Sequence, residues 1–248
     1  MGNFTFKGKS SEDYGLVVER LPRRTIPRLR VTEHVIPGRQ GALHQTDGTY
    51  EPYVQEYVCW FKRPANYSTL ARRIHDVAQW LTNLPVISRL EDSYDTQVWH
   101  NAIYLGGADV ENICDRFGRF TVSFQCDPRG YLTSADLVIN ITGAGLLNNP
   151  TSHTAAPLIE VDTNGKLGGV VRIGEYSVNL LFGTVPATTV YIDCEIREAW
   201  YVEDGVQIGC NHILSSPNWP LIVPGSNRVE ISGLGVDTAR VHTRVWKL

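Results

Sequence analysis

Apolar residues in this chain recur mostly at every second position and only once at helical spacing. Phe120, Val122, Phe124 and Cys126 alternate with Thr121, Ser123 and Gln125, and Val190-Tyr191-Ile192-Asp193-Cys194-Glu195-Ile196 alternates as strictly. A period of two sends successive side chains to opposite faces, so both segments read as half-buried strands. Residues 53–61 form a β-branched and aromatic run, and 86–88 and 97–104 are further strand candidates. Towards the C-terminus short strands are expected at 137–141, 158–162, 170–173, 177–181, 189–196, 199–202, 227–232 and 240–246. The exception is Leu70, Ile74, Val77, Ala78 and Leu81, which share one helical face, with Arg72, Arg73, Asp76 and Gln79 opposite. Asn66 or Ser68 caps this helix and Asn83 and Pro85 stop it, giving a helix over about 67–82.

Eight short strands without a helical period predict a β-sandwich or jelly roll for the second part. Charge supports dividing the chain near residue 135. Residues 1–135 carry 16 Lys+Arg against 15 Asp+Glu, net +1, and 136–248 carry 7 against 11, net −4. The junction holds the turn signal Asp127-Pro128-Arg129-Gly130, and Asn164-Gly165 and Asp204-Gly205 read as hairpin turns. The fold class is mainly β, with domains at 1–135 and 136–248. The 22 Gly and 13 Pro then read as turn chemistry.

Several function classes lose support. With 248 residues and 20% charged residues the chain can bury a core without staples. No stretch approaches 18 apolar residues, so no membrane insertion is expected. The start lacks a signal-peptide run and, with Phe6 in place of Ser or Thr, the myristoylation pattern. Cys59, Cys114, Cys126, Cys194 and Cys210 are odd in number and widely spread, which fits free thiols of a reducing cytoplasm. The seven histidines form no metal-ligand pattern, and no nucleophile elbow, zincin helix or P-loop occurs. Gly143-Ala144-Gly145 does not continue into a dinucleotide loop. The acidic pairs Glu91-Asp92 and Glu203-Asp204 read as solvated loops, because glycosidase carboxyls face each other across a cleft. No catalytic residue, cofactor or metal is expected.

Two groups of side chains remain as candidate surfaces. Arg20, Arg23, Arg24, Arg28, Arg30 and Arg39 are opposed in their stretch only by Glu33, and Pro22, Pro27 and Pro37 exclude a helix. This extended segment suits contact with carboxylates of a partner subunit. Nucleic acid fits less well, since no aromatic platform interleaves the arginines. Trp200, Tyr201 and Trp219 are aromatics of the second part that suit either core filling or stacking on a sugar.

Four blocks at the N-terminus carry a resemblance. Phe4-Thr5-Phe6-Lys7-Gly8 with Ser10, Asp13-Tyr14-Gly15-Leu16-Val17-Val18, Ile36-Pro37-Gly38-Arg39-Gln40-Gly41 and Asp47-Gly48-Thr49-Tyr50 resemble, in order and spacing, the distal tail proteins of long-tailed non-contractile bacteriophages. Asn149-Pro150-Thr151, Ala156-Pro157-Leu158-Ile159-Glu160-Val161, Pro220-Leu221 and Pro224-Gly225-Ser226-Asn227 resemble the galectin-like sandwich such proteins carry. Pro37, Gly38, Gly41, Asp47, Gly48, Pro224, Gly225 and Asn227 are the turn-forming members of these motifs, with Pro37-Gly38 and Asp47-Gly48 expected as turns bracketing a loop.

The resemblance implies a β-barrel-like, split-sheet N-terminal domain that forms a ring, commonly a homo-hexamer, around a channel. It implies a structural hub without catalysis, at the distal end of the tail of a virion made in the bacterial host cytoplasm. Its partners would be the tail tube protein, the tail-tip hub or tail-associated protein and the tape measure protein, with transient, non-specific passage of DNA. The alternative is a carbohydrate-binding module protein acting in host adhesion, and a hydrolase has no motif behind it.

Overall fold

The computed structural model describes residues 2–62, 70–106, 111–114, 117–163, 166–183, 185, 189–233 and 235–248. Asn66, Ser68 and the Asn164-Gly165 turn lie outside these residues. The chain divides into two compact units, Met1–Gly130 with Leu248, and Tyr131–Lys247.

The first unit is a curled antiparallel sheet carrying one helix. Its strands follow the order Lys9–Ser10, Phe4–Phe6, Ile87–Asp92, Val98–Tyr104, Phe117–Cys126, Tyr53–Lys62 and Leu16–Val18. Phe120, Val122 and Phe124 point inward, as their alternation predicts, and meet Phe4, Phe6, Tyr57 and Leu16. Phe4 stacks on Tyr57 with ring centroids 4.9 Å apart and meets Phe124 edge-on at 5.5 Å. Such pairs add to simple area burial.

The described helix, Leu70–Thr82, closes this core, but with a face turned from the expected one. Ala78 is exposed, whereas Arg73 and Trp80 are buried beside Val77 and Leu81. Tertiary partners explain the turn. Trp80 donates its indole N–H to Phe6 O (3.0 Å) and stacks on Tyr14 at 4.4 Å. Arg73 donates through Nε to Tyr14 O (2.7 Å) and through Nη2 to Asp13 O (3.0 Å). A buried guanidinium is tolerated when its donors are occupied, and here a short 3₁₀ turn, Ser11–Tyr14, presents the carbonyls. At the other end Lys7 Nζ donates to the carbonyls of Leu81 (3.1 Å) and Asn83, where a cation suits a helix C-terminus.

The second unit is a β-sandwich of two antiparallel sheets. One runs Val138–Thr142, Thr238–His242, Leu158–Asp162, Thr189–Asp193, Glu198–Glu203 and Val206–Gly209; the other runs Ala144–Asn149, Gly225–Ser232, Gly168–Ile173, Tyr176–Leu181 and Leu214–Asn218. Ile159, Val161, Val190, Ile192 and Val241 of the first sheet share a core with Leu147, Val171, Ile173, Val178, Leu180 and Val229 of the second.

Two expected strands stop short. The 189–196 strand ends at Asp193, whose carboxylate accepts from the N–H groups of Glu195 (2.9 Å) and Ile196 (3.3 Å) and turns the chain before Arg197 at φ 60°. The 240–246 strand divides into Thr238–His242 and Trp246–Lys247, with Arg244 at φ 49° between them. Of this unit's strands, Ala144–Asn149, Val206–Gly209 and Leu214–Asn218 are not among those expected. Gly, Asn, Ser and Pro weaken the local strand signal of the first and third, the second is only four residues long, and each forms by pairing with a neighbour.

Candidate functional site: a projecting hairpin and two surfaces

After Leu16–Val18 the chain leaves the sheet as an exposed strap. Two of its ties lie near its middle. Gln55, buried on the inner side of Tyr53–Lys62, donates Nε2 to Arg23 O at 3.1 Å. Arg24 donates Nη2 to Asp92 Oδ1 at 2.9 Å. Asp92 ends its strand and is buried, so the Glu91-Asp92 pair is no solvated loop. Its carboxylate also accepts from Tyr57 Oη (2.8 Å) and from the N–H groups of Tyr94 and Asp95 (both 3.0 Å). Burial first, then the neighbouring Asp92 charge, pushes the Tyr57 hydroxyl well above its ordinary pKa, which keeps it a donor.

Beyond the strap, Leu29–Val35 and Ala42–Tyr50 form a separate two-stranded sheet. Pro37-Gly38 makes its tip, where Arg39 N–H donates to Ile36 O (3.1 Å) and Gly38 and Gly41 take φ 82° and 79°. The second expected turn is different. Asp47-Gly48 lies inside Ala42–Tyr50, where the pairing register shifts against Leu29–Val31 and Gly48 takes φ 79°. Asp47 Oδ1 accepts from Thr49 N–H (2.9 Å) and Thr49 Oγ1 (2.6 Å); these bonds, ahead of nearby Arg30, hold its pKa down. The dipeptide therefore makes a bulge in a strand.

Every residue of Leu29–Val35 is exposed, as is every residue of Ala42–Tyr50 except the first and last. Leu29, Val31 and Val35 share one phase of the strand, interrupted by Glu33, and Val35 is 81% exposed. Arg20, Arg23, Arg28, Arg30 and Arg39 are also exposed on the strap and hairpin. Among the described residues only Arg24 of the six forms an ion pair.

A second exposed apolar region lies on the outer face of the curled sheet. The register sets Val54 beside Gln125, Gln125 beside Ile103 and Ile103 beside Ile87. Ile87, Val54, and nearby Val86 and Leu105 are all exposed.

In the sandwich the three candidate aromatics separate. Tyr201 and Trp219 pack against the core. Trp200 points the other way and stacks on Tyr191, centroids 5.9 Å apart and planes within 12°. Beside Tyr191, Glu160 accepts from Arg240 Nη2 (2.6 Å) and sits 2.6 Å from His242 Nε2, a polar cluster that sequence spacing could not show. Gly225 opens the strand Gly225–Ser232, just after Pro224. Asn227 is buried, and its amide holds the turn by accepting from Val223 N–H (3.0 Å) and donating to the carbonyls of Val223 (2.8 Å) and Gly225 (3.0 Å). Among the described residues no group of three or more His, Cys, Asp or Glu could hold a metal ion, and no helix is long and apolar enough to cross a membrane.

A curled sheet bearing one helix, followed by a β-sandwich, is a fold that this chain shares with solved phage adsorption and baseplate proteins. The SPP1 Dit protein, described as a paradigm of the hub adsorption apparatus of phages that infect Gram-positive bacteria, matches with a TM-score of 0.71 at 15% identity over 97% of each chain. A chain of the phage P2 baseplate in its calcium-bound activated conformation matches at 0.58 and 8% identity, covering 97% of both chains. Its strontium-bound counterpart matches at 0.56 and 9%, covering 97% of this chain and 98% of that one. At these identities what is shared is the fold. No family model and no curated protein matches the chain.

Proposed function

We propose that this protein is the structural hub at the distal end of a phage tail. Copies associate head to tail into a closed ring, a hexamer, that joins the tail tube to the tail-tip or baseplate proteins around a channel through which DNA leaves. The tape measure protein meets the ring from the channel side. The protein is made in the host cytoplasm and built into the virion as a non-catalytic part.

The observation that carries this reading is the hairpin over 29–50. A two-stranded sheet alone is marginal in water, and its outer edges present unpaired N–H and C=O groups. Here such a hairpin carries apolar side chains into solvent on both sides of its tip. A neighbouring copy that covers it removes both costs, and a contact between different patches on each copy generates a ring when the rotation closes. The shared fold with a hub adsorption protein supports the same reading.

Mass photometry tests it. The wild-type protein should give a species near six times 27.7 kDa, seen as a ring in micrographs. A Val31→Asp, Val35→Asp double variant should be monomeric with an unchanged melting temperature. A wild-type protein that stays monomeric at every concentration, without rings, would overturn the proposal.

A further inference from the structure

We propose that Val138–Thr142, the strand at one edge of the six-stranded sandwich sheet, is a self-pairing edge. It meets the same strand of a second copy in antiparallel register about Asn140 and joins the two sheets into one. This inference is independent of the ring, because it rests on the second unit alone.

The edge is open and lacks the features that keep strands of different molecules apart. Val138–Thr142 pairs with Thr238–His242 on one side and, among the described residues, with no strand on the other. Free edges are ordinarily guarded by charge, by proline or by a bulge. Here no Asp, Glu, Lys or Arg stands between Asp136 and Glu160, and the ladder to Thr238–His242 runs without a register shift. Val138, Ile139, Ile141 and Thr142 are β-branched, and Val138 is exposed, as is Leu137 before it. The other edges of the sandwich differ. Val206–Gly209 follows directly on Glu203-Asp204-Gly205, and Leu214–Asn218 contains Pro217 and pairs in an irregular register. Ala144–Asn149 carries Gly145, Asn148 and Asn149, which are poor strand formers.

Backbone geometry sets the register. Gly143 N–H donates to Asp237 O at 2.7 Å, one step beyond the paired residues Thr142 and Thr238. Bonded and non-bonded pairs alternate along an antiparallel ladder, so Ile141 and Ile139 bond inward to Thr238–His242. The N–H and C=O groups of Val138, Asn140 and Thr142 then point away from the sheet. A two-fold axis at Asn140 sets Asn140 against Asn140 of the second copy and Val138 against its Thr142, and each of these pairs exchanges two backbone hydrogen bonds. The side chains agree with that register. Ile139, half-buried in the single copy, falls opposite the second copy's Ile141 on the core side, an apolar cross-strand pair. On the outer side two Asn140 carboxamides meet, and each can donate as well as accept. No charged side chain lies on the strand, so no like charges face each other, and one patch serves both copies. A foreign strand would satisfy the backbone equally; the mirror order Ile139-Asn140-Ile141 is what favours a second copy.

The test uses the full chain carrying Val31→Asp and Val35→Asp, so that ring formation does not obscure the result. Sedimentation equilibrium from about 5 to 500 µM should show a species at twice 27.7 kDa that grows with concentration. Five residues a side make a weak contact, smaller than a stable interface, so it is absent at the nanomolar concentrations of mass photometry. Hydrogen exchange at the amides of Val138, Asn140 and Thr142 should slow at the upper concentration alone. Asn140→Lys sets like charges against each other across the two-fold axis and should weaken association about fivefold. An equal mixture of Asn140→Lys and Asn140→Asp chains should restore it to within about twofold. A protein that stays monomeric at about 500 µM, an association that Asn140→Lys leaves unaltered, or one that the mixture does not restore would each overturn the proposal. So would slowed exchange at those amides caused by a synthetic peptide of alternating Val and Thr in a protein that remains monomeric, which would assign the edge to a foreign strand. Ring formation by the wild-type protein is scored separately, so failure here leaves the hub proposal standing.

Discussion

The guanidinium of Arg24 lies 2.9 Å from the carboxylate of Asp92, and the two ends of this pair differ in exposure: 43% for the Arg24 side chain and 4% for that of Asp92. The pair fastens an exposed strap to a buried acceptor that also serves a tyrosine and two backbone N–H groups.

That asymmetry predicts unequal costs. Asp92→Ala leaves the buried Tyr57 hydroxyl and two N–H groups without an acceptor and should cost about 3–5 kcal/mol. Arg24→Ala removes a half-exposed, solvent-screened partner and should cost about 1 kcal/mol or less. It should instead free the strap, so that trypsin cuts faster after Arg23 and Arg28. Thermal melts and limited digestion of both variants check this, and equal losses of stability would refute it.

His100 gives a pH dependence. Burial lowers its pKa from 6.5, against hydrogen bonds to backbone that raise it; Nδ1 lies 3.1 Å from Arg129 O. The folded protein therefore holds the ring neutral below the pH at which the unfolded chain protonates it. The stability this confers is complete above about pH 6.5 and is lost as pH falls towards the depressed folded value. A His100→Gln variant should show a flatter melting temperature than the wild type as pH falls below about 6.5.

Two glycines should respond oppositely to alanine. At Gly168, with φ 152°, a Cβ would lie 2.0 Å from Leu180 O, backbone of the paired strand. Gly168→Ala should cost about 3 kcal/mol or more. Gly209→Ala meets open space and should fall within about 0.5 kcal/mol of wild type. Chemical denaturation of the two variants decides the matter.

Arg20, Arg23 and Arg28 are exposed on the strap. If they meet carboxylates of a neighbouring copy, replacing all three by Ala should weaken assembly. The loss should be larger at about 0.01 M salt, where screening extends over about 30 Å, than at about 0.15 M, where it extends over about 8 Å. Sedimentation at both concentrations measures the difference, and assembly unchanged at either would reject the role.

The sequence by itself determined those elements whose signal is local. The alternation at 120–126 and the run at 53–61 form strands, because a period of two fixes opposite faces whatever packs on them. Leu70–Thr82 is a helix for the equivalent reason, and the mainly β fold class follows from these patterns. What only the tertiary structure decided depends on partners far away in the chain. Trp200 and Tyr201 are adjacent and equally aromatic, so alternation requires them to face apart but cannot say which one the core takes; Ala199, with Val190 and Ile192 on the paired strand, decides it. Asp92 looked like half of a solvated pair until Tyr57 and Arg24 closed on it from 35 and 68 residues away. Arg73 turned inward because Asp13 and Tyr14 offered carbonyls. The hairpin over 29–50 shows the converse, since Leu29, Val31 and Val35 share one phase of a strand and yet all are exposed. A period records which side chains share a face; what covers that face is set by three-dimensional packing, within the chain or between chains.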